Sequence, residues 1–113
     1  MENLADRKCA PCENGTPSLA AADIARYEKQ LSTPWKLVHE EGTDKIRREF
    51  AFKTFKEAMD FVNIVAMLAE KEGHHPDMHI WYNKVLLVLW THAVKGLSEN
   101  DFIMAEKVNK LAL

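Results

Sequence analysis

Four of the five histidines of this 113-residue chain lie in one stretch, between positions 74 and 92. His74 and His75 precede Pro76, and a mostly apolar run then ends at Thr91 and His92. Histidine is the side chain whose ordinary pKa lets it donate or accept a proton near neutral pH. A group of imidazoles beside a tight turn therefore indicates a proton-transfer site, a metal site, or histidines without a chemical role.

Local conformation decides whether these imidazoles meet. Gly73 permits a sharp turn before His74, and Pro76 favours an extended conformation at His75. If the strands predicted at 77–82 and 84–91 pair with each other, His92 returns to the same corner. Three imidazoles around one pocket would provide an acid and a base, each worth roughly 10²–10⁴-fold in rate.

Metal binding is the chief alternative. Three of His74, His75, His79 and His92 would be enough for a site with an open position. However, His75 and His79 share a helix face only if a helix begins at Pro76, and the residues that follow are strand-like. The helical H-E-x-x-H pattern is also absent. These patterns disfavour a metal site, but they leave open whether the histidines are catalytic. His39 and His79, taken singly, are better explained as ordinary half-buried or surface histidines.

Composition indicates one ordinary globular domain, with 47% apolar residues, 28% charged residues and a formal net charge of -2. That charge predicts no nucleic-acid or membrane partner. No apolar run approaches the roughly 18 residues of a membrane span, and the charged N-terminus lacks a signal-peptide core, so we expect a cytoplasmic protein. The C-x-x-C pair of Cys9 and Cys12 lies in a polar segment, which favours an incidental feature over a redox or metal role.

The order of predicted elements is helix, two strands, helix, two strands, helix. Residues 1–17 are predicted to form a flexible N-terminal arm. Ser18 is predicted to cap a first helix, which runs to Leu31, and a hairpin of strands 35–40 and 46–53 follows with its turn at 42–44. Thr54 and Gly73 bound a long helix, and Ser98 begins the last one.

This order predicts an α+β fold, with a four-stranded antiparallel sheet and three helices packed on one face. The run from Val85 to Trp90 is apolar without alternation, which is typical of a strand covered on both faces. An open apolar sheet face usually contacts a partner, so we expect a homodimer or homotetramer formed through the sheet.

A longer pattern resembles the signature of the pterin-4a-carbinolamine dehydratases. It consists of Glu70-x-x-x-His74-His75-Pro76, Tyr82-Asn83-Lys84-Val85, Thr91-His92, Gly96-Leu97-Ser98 and Asp101. The spacing agrees throughout, and the likeness covers residues 18–113, which we take as a pterin carbinolamine dehydratase-like domain. One departure is Lys95, where family members often have glycine.

The resemblance implies a dehydratase that removes water from 4a-hydroxytetrahydropterin to give quinonoid dihydropterin. This reaction recycles the pterin of aromatic amino acid hydroxylases and needs neither a metal nor another cofactor. The implied catalytic residues are His74, His75 and His92. The implied substrate-binding residues are Glu70, Pro76, Asp77, Thr91 and Asp101.

Asp101 also has a structural interpretation, because an acidic residue three positions after Ser98 completes a helix N-terminus. From that position it would also be able to orient His92. The alternative function for the whole chain is a non-catalytic protein of the same fold, which stabilises a partner's dimer or acts in assembly or co-regulation.

Overall fold

The computed structural model describes residues 3–13 and 15–111, and within them the elements follow the predicted order. The α+β prediction is therefore confirmed. The helices and strands are α1 (Ala21–Glu28), β1 (Lys36–Glu40), β2 (Thr43–Ala51), α2 (Phe55–Glu72), β3 (Asp77–Trp81), β4 (Lys84–Leu89) and α3 (Glu99–Leu111), with short 3-10 helices at Leu4–Asp6 and His92–Val94. No helix in the described ranges is long and apolar enough to cross a membrane.

The four strands form one antiparallel sheet in the order β1-β2-β4-β3. β3 pairs with β4 from Asp77 opposite Val88 to Trp81 opposite Lys84. Because these two strands run in opposite directions, the residues before β3 and the residues after β4 lie at the same end of the sheet. This pairing brings the two predicted histidine segments together.

One face of the sheet is covered and the other is open. Toward the helices, alternate residues of β2 and β4 are buried and share one core with α2 and α3: Ile46, Phe50, Val85, Leu87 and Leu89. On the opposite face, Leu86 and Arg47 are half-buried and Glu49 is exposed. The prediction of helices on one face is confirmed, but the open face carries more charge than the apolar run of β4 suggested.

Helix α2 has the boundaries that its capping residues predict. The hydroxyl of Thr54 accepts a hydrogen bond of 3.1 Å from the backbone N–H of Glu57. Gly73 ends the helix with a left-handed φ of 69°, which glycine adopts without a steric cost. The chain therefore turns out of the helix immediately before His74.

Helix α1 is shorter than predicted, and Ser18 does not cap it. The helix begins at Ala21, after an N-cap residue whose side chain makes no capping bond. Ser18 lies against Gly96 instead, and the N–H of Leu19 donates to the carbonyl of Leu97 at 2.9 Å. This segment thus pairs with the loop before α3, a long-range contact that a local capping pattern does not reveal.

The turn of the first hairpin also differs from the prediction. It consists of Glu41 and Gly42, both left-handed with φ of 52° and 78°. Two left-handed residues form the kind of turn whose twist matches that of the flanking strands. Strand β2 consequently begins at Thr43, within the segment predicted as turn.

The described residues of the N-terminal arm pack against α3. Leu4 is 1% exposed and belongs to the core cluster. The side-chain amide of Asn100 bonds both the N–H and the carbonyl of Ala10, at 3.0 and 2.6 Å. The division of the chain into a flexible arm and a domain at residue 17 stays a prediction.

The two cysteines lie in this docked arm, and both are free and half-buried. Burial, together with the nearby carboxylate of Glu72, raises the pKa of the Cys9 thiol to about 12. A thiol with such a pKa is protonated at neutral pH and is a poor nucleophile. Cys9 therefore has the environment of a packing residue.

Candidate active site

A cavity of about 340 Å³ opens where the end of α2, the start of β3 and the segment after β4 meet. It contains all three histidines predicted to be catalytic, together with three of the five residues predicted to bind substrate. The lining residues are Gly73, His74, His75, Pro76, Asp77, Trp90, Thr91 and His92.

The imidazole of His74 is paired with a buried carboxylate. Its Nε2 lies 2.7 Å from Oδ1 of Asp101, with the two side chains 11% and 0% exposed. Oδ2 of Asp101 accepts hydrogen bonds from the hydroxyl of Thr91 and the backbone N–H of Ser98, at 2.8 and 2.9 Å. Because a carboxylate only accepts, Nε2 of His74 carries the hydrogen and Nδ1 is left as a proton acceptor.

Asp101 thus bonds three residues, of which Ser98 was expected from the sequence and His74 was not. It reaches back to Ser98 at the start of α3, as the helix N-terminus interpretation predicts. The imidazole that it orients is that of His74, whereas the sequence suggested His92. Ser98 is an additional member of this network, since its hydroxyl lies 2.7 Å from that of Thr91.

His75 is paired with the other predicted carboxylate. Its Nε2 lies 2.5 Å from Oε2 of Glu70, in the last turn of α2. These side chains are 59% and 78% exposed, so the pair adds little to stability. The contact can still fix the direction of the ring, and the adjacent Pro76 forms part of the cavity wall.

His92 is positioned by an aromatic side chain that the sequence reasoning missed. Its ring stacks on the indole of Trp90, with ring centroids 3.7 Å apart. The indole N–H donates to Oδ2 of Asp77 at 3.1 Å. The available signal was an aromatic residue two positions before a candidate catalytic histidine, at the end of a strand.

Comparison with known proteins identifies the family. The profile described as "Pterin 4 alpha carbinolamine dehydratase" matches residues 17–111. The chain belongs to this family. It is 50% identical over 110 residues to a protein of Alkaliphilus metalliredigens (strain QYMF) that carries the provisional name of a pterin-4-alpha-carbinolamine dehydratase, and the match covers 97% of this chain and 96% of that one.

Further members of the pterin carbinolamine dehydratase family are similar in sequence and in structure. The chain is 39% identical to "Pterin-4-alpha-carbinolamine dehydratase 2, mitochondrial" of Arabidopsis thaliana, over 98% of this chain and 60% of that one. A crystal structure titled as a transcriptional coactivator/pterin dehydratase from Brucella melitensis superimposes with a TM-score of 0.75 and 34% identity, over 85% of this chain and 99% of that one. The resemblance seen in the sequence is thereby confirmed, and the chain is an enzyme of the dehydratase class.

A second solved structure shares only the fold. It is described as a pterin dehydratase-like protein that is a RuBisCO assembly factor in the alpha-carboxysome. It superimposes with a TM-score of 0.61 at 22% identity, over 72% of this chain and 92% of that one. This family fold therefore also occurs in a protein that acts in assembly.

The remaining histidines lie apart from the cavity lining. His79 is exposed on the open face of the sheet, opposite Leu86, and His39 pairs with Asp44 at 2.8 Å in the first hairpin. Within residues 3–13 and 15–111, no group of three or more His, Cys, Asp and Glu side chains is arranged to hold a metal ion. Nε2 of His74 and of His75 each face a carboxylate instead.

Proposed function

We propose that this chain removes water from a 4a-hydroxytetrahydropterin by histidine acid/base catalysis and yields the quinonoid dihydropterin. The observation that carries the proposal is the cavity lined by His74, His75 and His92, with a buried carboxylate behind His74. Family membership supports the pterin substrate, and the product would serve aromatic amino acid hydroxylases again after a separate two-electron reduction to the tetrahydropterin.

The reaction requires two proton transfers. Hydroxide is a poor leaving group from C4a, so an acid must protonate the oxygen as the carbon–oxygen bond breaks. A base must remove a proton from the neighbouring ring nitrogen, so that its electron pair forms the C=N bond. One water leaves, no redox change occurs, and the two catalytic groups exchange their protons with solvent before the next turnover.

His74 is suited to be the base and His92 the acid. With its hydrogen on Nε2, His74 has Nδ1 as an acceptor, and Asp101 stabilises the imidazolium that forms. His92 lines the same cavity, and its ring is stacked on Trp90. His75, fixed by Glu70, holds the pterin ring, while Pro76, Asp77 and Thr91 shape the wall against which it binds.

Stopped-flow dehydration of freshly made 4a-hydroxytetrahydropterin tests the proposal. We expect wild-type protein to accelerate the reaction, and His74→Ala and His92→Ala each to lose roughly 10²–10⁴-fold in rate. His79→Ala is the matched control, since this exposed histidine lies outside the cavity lining, and it should keep the full rate. Wild-type protein that gave only the spontaneous rate would refute the enzymatic role.

The same stopped-flow measurement distinguishes catalysis from the non-catalytic alternative. An assembly protein of this fold has no need of three imidazoles around one cavity, so histidine substitutions would leave partner binding intact. The assembly factor noted above shares only the fold with this chain, and it gives no partner for it. Loss of dehydration on His92→Ala favours catalysis.

We further propose that the chain forms a homodimer or homotetramer through its sheet and works in the cytoplasm. In the part of the chain that the structure describes, the edge strands β1 and β3 each have one side without a neighbouring strand, and such a side can pair with a second copy. Sedimentation equilibrium tests the assembly, and a purely monomeric protein would contradict it. Cell fractionation tests the location.

A further inference from the structure

The three imidazoles around the cavity are oriented in two different ways. His74 and His75 each use Nε2 to bind a carboxylate, Asp101 and Glu70 respectively. Among the described residues, the ring nitrogens of His92 make no hydrogen bond to protein, and this ring is oriented by stacking on Trp90. Stacking fixes the plane of a ring while leaving both of its nitrogens available to a ligand.

Trp90 is itself held from two directions. Its N–H donates to Asp77, the first residue of β3, at 3.1 Å. The ammonium of Lys45, on the neighbouring strand β2, lies over the indole at 4.8 Å from the ring centroid. Because both partners belong to the sheet, the indole is a rigid surface for a side chain that follows β4.

We propose that Trp90 is a positioning residue, which sets the orientation of the His92 imidazole for proton transfer to the substrate. This inference rests on the proposed dehydratase function. Trp90 acts through His92 and not as a platform for the pterin, because the imidazole already covers the indole at 3.7 Å. A planar ligand would have to displace the imidazole in order to stack there.

The expected kinetic effect is a loss of kcat with little change in KM. A reacting group misplaced by about 1 Å can cost roughly 10²-fold. Trp90→Leu, which removes the stacking ring, should therefore lower kcat by about 10–100-fold. Trp90→Phe keeps an aromatic face and should recover most of the rate. Trp81→Leu is the matched control, because Trp81 is an exposed tryptophan at the far end of β3, and it should behave as wild type.

The double variant separates positioning from direct contact with the substrate. If Trp90 acts through His92, Trp90→Leu should change the rate by less than about twofold when His92 is already alanine. An equal loss in both backgrounds would show that Trp90 touches the pterin, and this would overturn the proposal. A wild-type kcat in a folded Trp90→Leu protein would overturn it as well.

NMR of the His92 ring protons gives a readout that does not depend on activity. Protons held over an indole face are shifted upfield by its ring current, so the ring protons of His92 should resonate upfield of those of the exposed His79. The shift should shrink in Trp90→Phe and disappear in Trp90→Leu; equal shifts for the two histidines in wild type would contradict the stacking. If wild type showed the upfield shift but no dehydration, the proposed function would fail while the positioning of His92 stood.

Discussion

At the scale of single residues, Asp101 connects His74 of the candidate site to the start of α3. Its two oxygens divide between His74 on one side and Thr91 and Ser98 on the other. Because its side chain is fully buried, its charge is little screened by solvent where it faces the imidazole. The same carboxylate therefore bonds the start of α3 and sets the hydrogen position on the ring of His74, the proposed base.

Replacing this charge without changing its size should reduce catalysis. We expect Asp101→Asn to lower kcat by roughly 10²–10⁴-fold, because an amide neither selects the Nε2–H form of His74 nor stabilises its imidazolium. Steady-state dehydration kinetics measure the loss, with urea unfolding to separate it from any change in stability. Asp60→Asn, an exposed carboxylate paired with Lys56 on α2, is the control. Unchanged kcat in Asp101→Asn would exclude the positioning of His74 by charge.

At the scale of elements, the loop between β4 and α3 contains Lys95, a position at which the family resemblance led us to expect glycine. Lys95 has a left-handed φ of 53°, a conformation that glycine adopts readily and other residues adopt at a cost. The next residue, Gly96, is packed so closely that a Cβ built there would lie 2.8 Å from Cβ of Ser18. Two adjacent positions thus favour glycine for different reasons, backbone conformation and space.

Substitutions at these two positions should have opposite effects on stability. Lys95→Gly should raise the free energy of unfolding by about 0.5–1 kcal/mol, because it relieves the left-handed strain. Gly96→Ala should lower it by about 1–3 kcal/mol, because Ser18 and its backbone must move. Urea denaturation of the two variants measures both changes. A stabilised Gly96→Ala would show that residues 18–19 are not packed against this loop in solution.

At the scale of the whole molecule, α3 joins segments that are far apart in the sequence. Besides docking the arm through Asn100, it holds the segment between α1 and β1 through Glu106 and Asn109. Oε1 of Glu106 accepts from both the N–H and the hydroxyl of Ser32, at 2.9 and 3.0 Å. The side chain of Asn109 bonds the indole of Trp35 at 2.8 Å.

The hydrogen bonds to Glu106 predict that the free energy of unfolding depends on pH. Burial by itself raises the pKa of Glu106, but hydrogen bonds from Ser32 and Asn109 and the charge of Lys110 outweigh it and leave the pKa below the usual value. A lowered pKa in the folded state stabilises the protein above the ordinary carboxylate pKa, and this stabilisation is lost as the pH falls through the folded-state value. The free energy of unfolding should thus decrease on acidification.

The variant Glu106→Gln isolates the contribution of Glu106 to the pH dependence of stability from the contributions of the other carboxylates. The difference in unfolding free energy between wild type and Glu106→Gln should favour wild type at about pH 6 and shrink toward about pH 3. Urea unfolding at a series of pH values measures it. Glu41→Gln, at an exposed position in the turn of the first hairpin, provides a control. A difference that grew on acidification would mean that the pKa of Glu106 is raised instead.

The sequence by itself determined the features that depend on neighbouring residues. Thr54 and Gly73 bounded α2, alternation and apolar runs indicated the strands, and the motif from Glu70 to Asp101 carried the family and the three histidines. Each of these patterns expresses a local constraint, such as a capping bond, a permitted φ or a periodicity, that acts within a few residues.

Only the tertiary structure decided which distant groups face each other. It paired Asp101 with His74, placed Trp90 under His92, drew Ser18 away from a helix cap toward Gly96, and buried Leu4 in the core. Such contacts depend on strand register and on how helices pack across the sheet. Neither can be predicted from the residues that are adjacent in sequence. The residues of the candidate site were predicted from the sequence, whereas the orientation of their side chains follows from the fold.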